Sequence, residues 1–129
     1  MKKIVTSMMM MSVLSMSLYG YSTEERISDM QKMEAAMAQI QKGILYNHKE
    51  MAIQGVEKLK QASAKVEIAP KGDMDYSGAF AKTQAANIMK YASSIKSYME
   101  ENRKHAASTN YTKVLNECIS CHNKIRKWN

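Results

Sequence analysis

The chain has only two cysteines and one proline in 129 residues. With cysteine confined to positions 118 and 121, no disulfide framework is available. A bridge between them would close too short a loop to constrain the chain. The single proline, Pro70, and the scarcity of β-branched runs leave no strand pattern. After the first twenty residues, no apolar run approaches the ~20 residues a bilayer span requires. No internal repeat is evident. Lysine and arginine outnumber acids 19 to 12, but the two signs are interleaved, which argues against a nucleic-acid surface. No acids and bases are paired as a substrate pocket would need, so no enzymatic role is expected.

What is present is helix-forming composition, rich in Ala, Lys, Glu, Gln and Met. Lys2 and Lys3 precede an uncharged, Ser- and Met-rich apolar stretch from Ile4 to Leu18, and Gly20 and Ser22 are small residues. That order reads as a secretory signal peptide over residues 1–20, cleaved near Gly20. An uncleaved N-terminal anchor is the alternative. Removal of residues 1–20 leaves one domain, 21–129, of 109 residues, and the loss of Lys2 and Lys3 takes the formal charge from +7 to +5.

Four helices are expected in that domain. Ser22-Thr-Glu-Glu25 reads as a capping box opening the first. Met30, Met33, Met37, Ile40 and Ile44 then recur at spacings of three and four. Asn47-His-Lys-Glu50 reads as a second capping box, with Met51, Val56, Leu59 and Val66 inward in the helix that follows. Residues 67–77 hold Pro70, Gly72, Asp73 and Asp75 and read as the one long loop. Phe80, Gln84, Ile88, Tyr91, Ile95 and Tyr98 mark a third helical stripe. The chain turns near 105–109, and Tyr111, Leu115, Cys118, His122 and Ile125 line the last helix. Two short connections and one longer one imply an all-α, antiparallel up-down-up-down four-helix bundle.

The segment Cys118-Ile119-Ser120-Cys121-His122 is a C-x-x-C-H run, the attachment signal of a c-type haem. The chemistry needs two thiols that add to the porphyrin vinyl groups and an imidazole that reaches the iron. On a helix, positions 118, 121 and 122 lie three and four apart and share a face. Two other uses compete. A zinc site wants four ligands, so His48 or His105 would have to join the three residues here. A redox dithiol would follow a strand, and none precedes Cys118. Export fits the haem alternative, because bacterial c-type haem is attached outside the cytoplasmic membrane.

In motif and layout, the chain from Ser22 onward resembles the cytochrome c-prime family, including its low-spin cytochrome c-556 relatives. These proteins are four-helix bundles with C-x-x-C-H on the last helix, near the C-terminus. They usually carry a basic residue four positions after the histidine, where this chain has Arg126. The aromatic residue usual before it is replaced by Ile125. Lys42-Gly43 and Tyr46-Asn47 are similar to the family's first turn, though one residue closer and without its proline.

The resemblance implies a periplasmic mono-haem c-type cytochrome, haem near one end of the bundle. One covalent haem c is held by Cys118 and Cys121, His122 is the proximal ligand, and Arg126 lies near a propionate or the haem edge. A methionine on the first helix completes the iron of a single-electron carrier. Alternatively, an apolar side chain such as Ile27 leaves it five-coordinate and open to nitric oxide or carbon monoxide, for scavenging or sensing. Because His122 lies near the end of the last helix, its counterpart is expected near the start of the first. Met30 fits best, Met33 is the alternative, and core packing is the competing role for both. His48 and His105 are expected to be solvated, far from the haem. Lys124, Arg126 and Lys127 could meet a propionate or steer an acidic redox partner, or simply form a solvated basic helix end. Family members are often homodimers.

Overall fold

The computed structural model describes residues 22–66 and 78–125. The expected signal peptide, the 67–77 loop, Arg126 and Lys127 lie outside the described residues. Four α-helices account for nearly all the rest: α1 Thr23–Leu45, α2 Lys49–Ser63, α3 Gly78–Glu100 and α4 Lys104–Ile125. Each helix packs against two neighbours in the ring α1–α2–α3–α4, and the diagonal pairs stay apart. This is the expected four-helix bundle. The Lys104 ammonium donates to the Asn47 side-chain oxygen, so the end of α1 lies beside the start of α4 and the two helices are antiparallel.

The first capping box forms as read: Ser22 Oγ accepts from Glu25 N at 3.1 Å, and Glu25 Oε2 accepts from Ser22 N at 2.7 Å. These bonds satisfy backbone donors that the first helical turn leaves unpaired. The second does not form. Asn47 has φ 59° and closes α1, while His48 stands at the α2 N-cap with no side-chain capping bond. His48 N donates to Gly43 O at 2.8 Å, the long return bond of a Schellman turn. The turn before α4 repeats this geometry, with Asn102 at φ 59° and Arg103 N bonded to Tyr98 O at 2.7 Å. That turn spans residues 101–103, so α4 begins at Lys104 and residues 105–109 are helical rather than a turn. Asparagine tolerates the left-handed region better than most residues, which is why both turns use it.

The core is continuous through Met33, Met37, Ile40, Val56, Leu59, Ile88, Ile95, Met99 and Val114. On α4 the buried stripe differs from the expected one. Ala107, Asn110, Val114 and Cys121 are buried, whereas Leu115 and His122 are exposed. The inward face is rotated toward α3 relative to the motif-based stripe. Met51 and Met89 are half-buried, and Met99 is core.

α1 and α2 approach closely through small residues. A Cβ added at Gly43 would sit 2.5 Å from Ala52 N, and one at Gly55 would sit 2.8 Å from Ile40 Cγ1 and 2.9 Å from Ile40 N. An added methyl should force these backbones apart, at about 1–3 kcal/mol, outweighing the roughly 1 kcal/mol that alanine gains over glycine in a helix. Gly43→Ala and Gly55→Ala should therefore each lower the urea midpoint of unfolding, and an unchanged or raised midpoint would show that the helices separate without cost.

Candidate haem-attachment site

The last two turns of α4 carry Cys118, Cys121 and His122 on a continuous helix, as the motif requires. Both cysteines are free thiols; Cys121 is buried and Cys118 half-buried at the edge of the core. Burial, with a smaller contribution from Cys121, pushes the Cys118 thiol up to about 11. Burial and then the Glu117 carboxylate raise Cys121 as well. Both groups are thus held as neutral thiols at neutral pH. His122 is exposed beside them.

The two flanks of α4 differ. Toward α3, contacts are specific: Asn87 Nδ2 donates to Glu117 Oε2 at 3.2 Å. Gln84, its amide turned to satisfy both ends, donates to the same oxygen at 2.6 Å. Lys113 stands 5.5 Å from the centre of the Tyr91 ring, and Lys124 stands 4.5 Å from that of Phe80. Lys124 is therefore engaged with α3. At ~100° per residue, the opposite flank of α4 carries Leu115, Ile119 and His122. α1 is the helix on that side, and α1 with α4 is the thinnest of the four packed pairs.

α1 has the same asymmetry. Ala36, Ile40 and Gly43 meet α2, and Asp29 lies 3.9 Å from Lys65 just past the end of α2. The same 100° rotation puts Ile27 and Met30 on the flank toward α4. Ile27 is 49% exposed, Leu115 43% and Ile119 45%. Met30 is half-buried against the core, and Met33 is fully part of it. Apolar side chains from two helices thus border one thinly packed seam, beside both thiols and the imidazole.

These residues suit a flat, largely apolar group bonded at its edge by two thiols. They suit a single bound ion less well. Among the described residues, no three His, Cys, Asp or Glu side chains converge closely enough to hold one. A zinc site would draw on His48 or His105, but both are exposed at the opposite end, His48 beside Asn47 and His105 beside Lys104. Seventeen residues of helix, ~25 Å, separate His105 from His122. Gln84 is buried on the stripe expected for α3, but its contact with Glu117, and that of Asn87, has no distinguishing pattern in the sequence.

Comparison with protein-family models, with curated proteins and with solved structures finds no match to this chain.

A raised thiol pKa in the fold favours the protonated form. The contribution of Cys118 to stability is therefore complete below the ordinary thiol value of 9.0 and is lost as pH rises toward about 11. Unfolding free energy should fall by up to about 3 kcal/mol across that window. Cys118→Ala should flatten this fall, and equal slopes in both chains would refute the assignment.

Proposed function

We propose that this chain is an exported mono-haem c-type cytochrome, of the cytochrome c-prime and c-556 kind, that carries single electrons in the periplasm. The observation that carries the proposal is the coincidence of C-x-x-C-H with the one thinly packed, apolar-bordered seam of the bundle. In this reading Cys118 and Cys121 form the two thioethers and His122 supplies the proximal nitrogen. A haem, when bound, supplies a one-electron redox centre. Its apolar faces would cover Leu115, Ile119 and Ile27, at roughly 25 cal/mol per Å² removed from water. Arg126 and an acidic redox partner remain part of the proposal.

Helix geometry favours Met30 for the second axial position. His122 lies eighteen residues, ~27 Å, beyond the start of α4, and the matching level on antiparallel α1 is near position 27. Helical side chains lean toward their own N-terminus. In antiparallel neighbours, His122 and Met30 therefore lean toward each other. Met30 also lies on the flank of α1 toward α4, while Met33 is committed to the core. The second reading, a five-coordinate haem that binds nitric oxide or carbon monoxide, rests on Ile27. It lies on the same flank at the same level and is large enough to cover an iron without bonding it.

Visible spectra of the oxidised and reduced protein, with and without carbon monoxide, test both. A low-spin spectrum insensitive to carbon monoxide is expected, and Met30→Ala should convert it to a high-spin form that binds the gas readily. A high-spin wild-type spectrum would replace the carrier assignment with the gas-binding one. Cys118→Ala/Cys121→Ala should abolish haem that survives denaturing electrophoresis, and a colourless wild-type chain after expression with a c-type haem maturation system would end the haem proposal.

A further inference from the structure

Glu117 is the only acid of α4. It stands immediately before Cys118 and four residues before Cys121, and side chains four apart on a helix are neighbours. α3 supplies two donors to it. Asn87 Nδ2 lies 3.2 Å from Glu117 Oε2, and the Gln84 amide donates to the same oxygen at 2.6 Å and to the Glu117 carbonyl at 3.3 Å. Gln84 is itself buried, and Glu117 is half-buried. A glutamate standing free on a helix surface is solvated by water and needs no such support.

The nearby cations are engaged elsewhere. Lys113, one turn before Glu117, stands 5.5 Å from the centre of the Tyr91 ring, and Lys90 of α3 stands 5.8 Å from the same ring. Lys124 stands 4.5 Å from the centre of the Phe80 ring. None of the salt bridges among the described residues includes Glu117. Asp29, the buried acid of α1, is different, with Lys32 at 3.2 Å and Lys65 at 3.9 Å. Glu117 is thus a carboxylate held by amides rather than by a cation. Amide donors lower the cost of keeping a charge away from water, and they leave its sign and size unchanged.

We propose that Glu117 sets the reduction potential of the group attached at Cys118 and Cys121, holding it below the value it would have without this carboxylate. The inference rests on the haem reading above. Reduction places an electron on the iron, and a fixed negative charge close by opposes that step. Partial burial limits screening, so the opposition outlasts salt that would silence an exposed charge. The two amides keep the carboxylate against α3, beside the turn that carries Cys121, instead of free in water. The competing role is purely structural: Glu117 satisfies the buried amide of Gln84. Charge separates the two roles, because Glu117→Gln keeps an acceptor oxygen for both amides and removes the charge.

The test is a redox titration of the haem-loaded protein, followed by visible absorption, in wild type, Glu117→Gln and Glu117→Asp. Glu117→Gln, with unchanged helical circular dichroism, should shift the potential upward, so that at a fixed applied potential the ratio of reduced to oxidised protein rises severalfold. Glu117→Asp keeps the charge, and its potential should stay below that of Glu117→Gln. Equal potentials in wild type and Glu117→Gln would overturn the proposal and leave Glu117 its structural role. An equal upward shift in both variants would overturn it as well, because contact rather than charge would then be what was lost. A wild type that takes up no haem ends the haem reading and this inference together, whereas a haem-loaded wild type with the same potential as Glu117→Gln ends this inference alone.

Discussion

The close approach of α1 to α2 sets the rest of the structure. Gly43 lies against the Ala52 backbone, and Gly55 against Ile40 and the Ala36 carbonyl. With no side chain between them, the two helices share a tight seam, and α1 turns its small residues to that side. Its larger residues must then go elsewhere. Met33, Met37 and Ile40 enter the common core, and Met30 and Ile27 are carried round to the flank facing α4. α3 and α4 form the other firmly packed pair, tied by Asn87 and Gln84 to Glu117 and by Lys124 over Phe80. A ring of four helices has four seams. Three are well packed here, and the fourth, between α1 and α4, is not.

That inequality has an energetic meaning. Ile27, Leu115 and Ile119 each remain about half exposed along the thin seam. Covering the exposed half of each side chain is worth on the order of 1 kcal/mol. A bundle of this size has a limited core from which to offset chain entropy, so apolar surface left uncovered at one place is a deficit a bound group can make good. The thiols of Cys118 and Cys121 lie where such a group could be anchored. Packing and site chemistry therefore point to the same seam for separate reasons.

Much of this was legible in the sequence. The 3.6-residue recurrence of Met33, Met37 and Ile40 and of Val56 and Leu59 gave the bundle, and Ser22 with Glu25 gave the start of α1. The misses share a cause. The inward stripe on α4 was expected along Leu115 and His122, because those residues keep step with the cysteines. Burial instead follows Ala107, Asn110, Val114 and Cys121, a weakly apolar set that includes an amide. Asn110 can be buried because its side chain donates to Ala106 O at 2.9 Å, a bond invisible to hydropathy. Asn47 looked like a helix start because asparagine caps helices, yet it serves equally in the left-handed position that ends one, and only the backbone distinguishes the two. At the site, C-x-x-C-H announced the thiols and the imidazole. The asymmetry of the seam depends on Gly43, far along α1 from Met30, and on Gly55 in α2, and could not be read from the motif.

The seam also brings together opposite helix ends. The N-terminus of α1 presents unpaired N–H groups and a positive partial charge, offset by Glu24 and Glu25 in its first turn. The C-terminus of α4 presents carbonyls and a negative partial charge, offset by Lys124 in its last turn. The two dipole ends lie side by side in an antiparallel pair, so the positive end of one helix faces the negative end of the other, and charged side chains in both terminal turns add to that pairing.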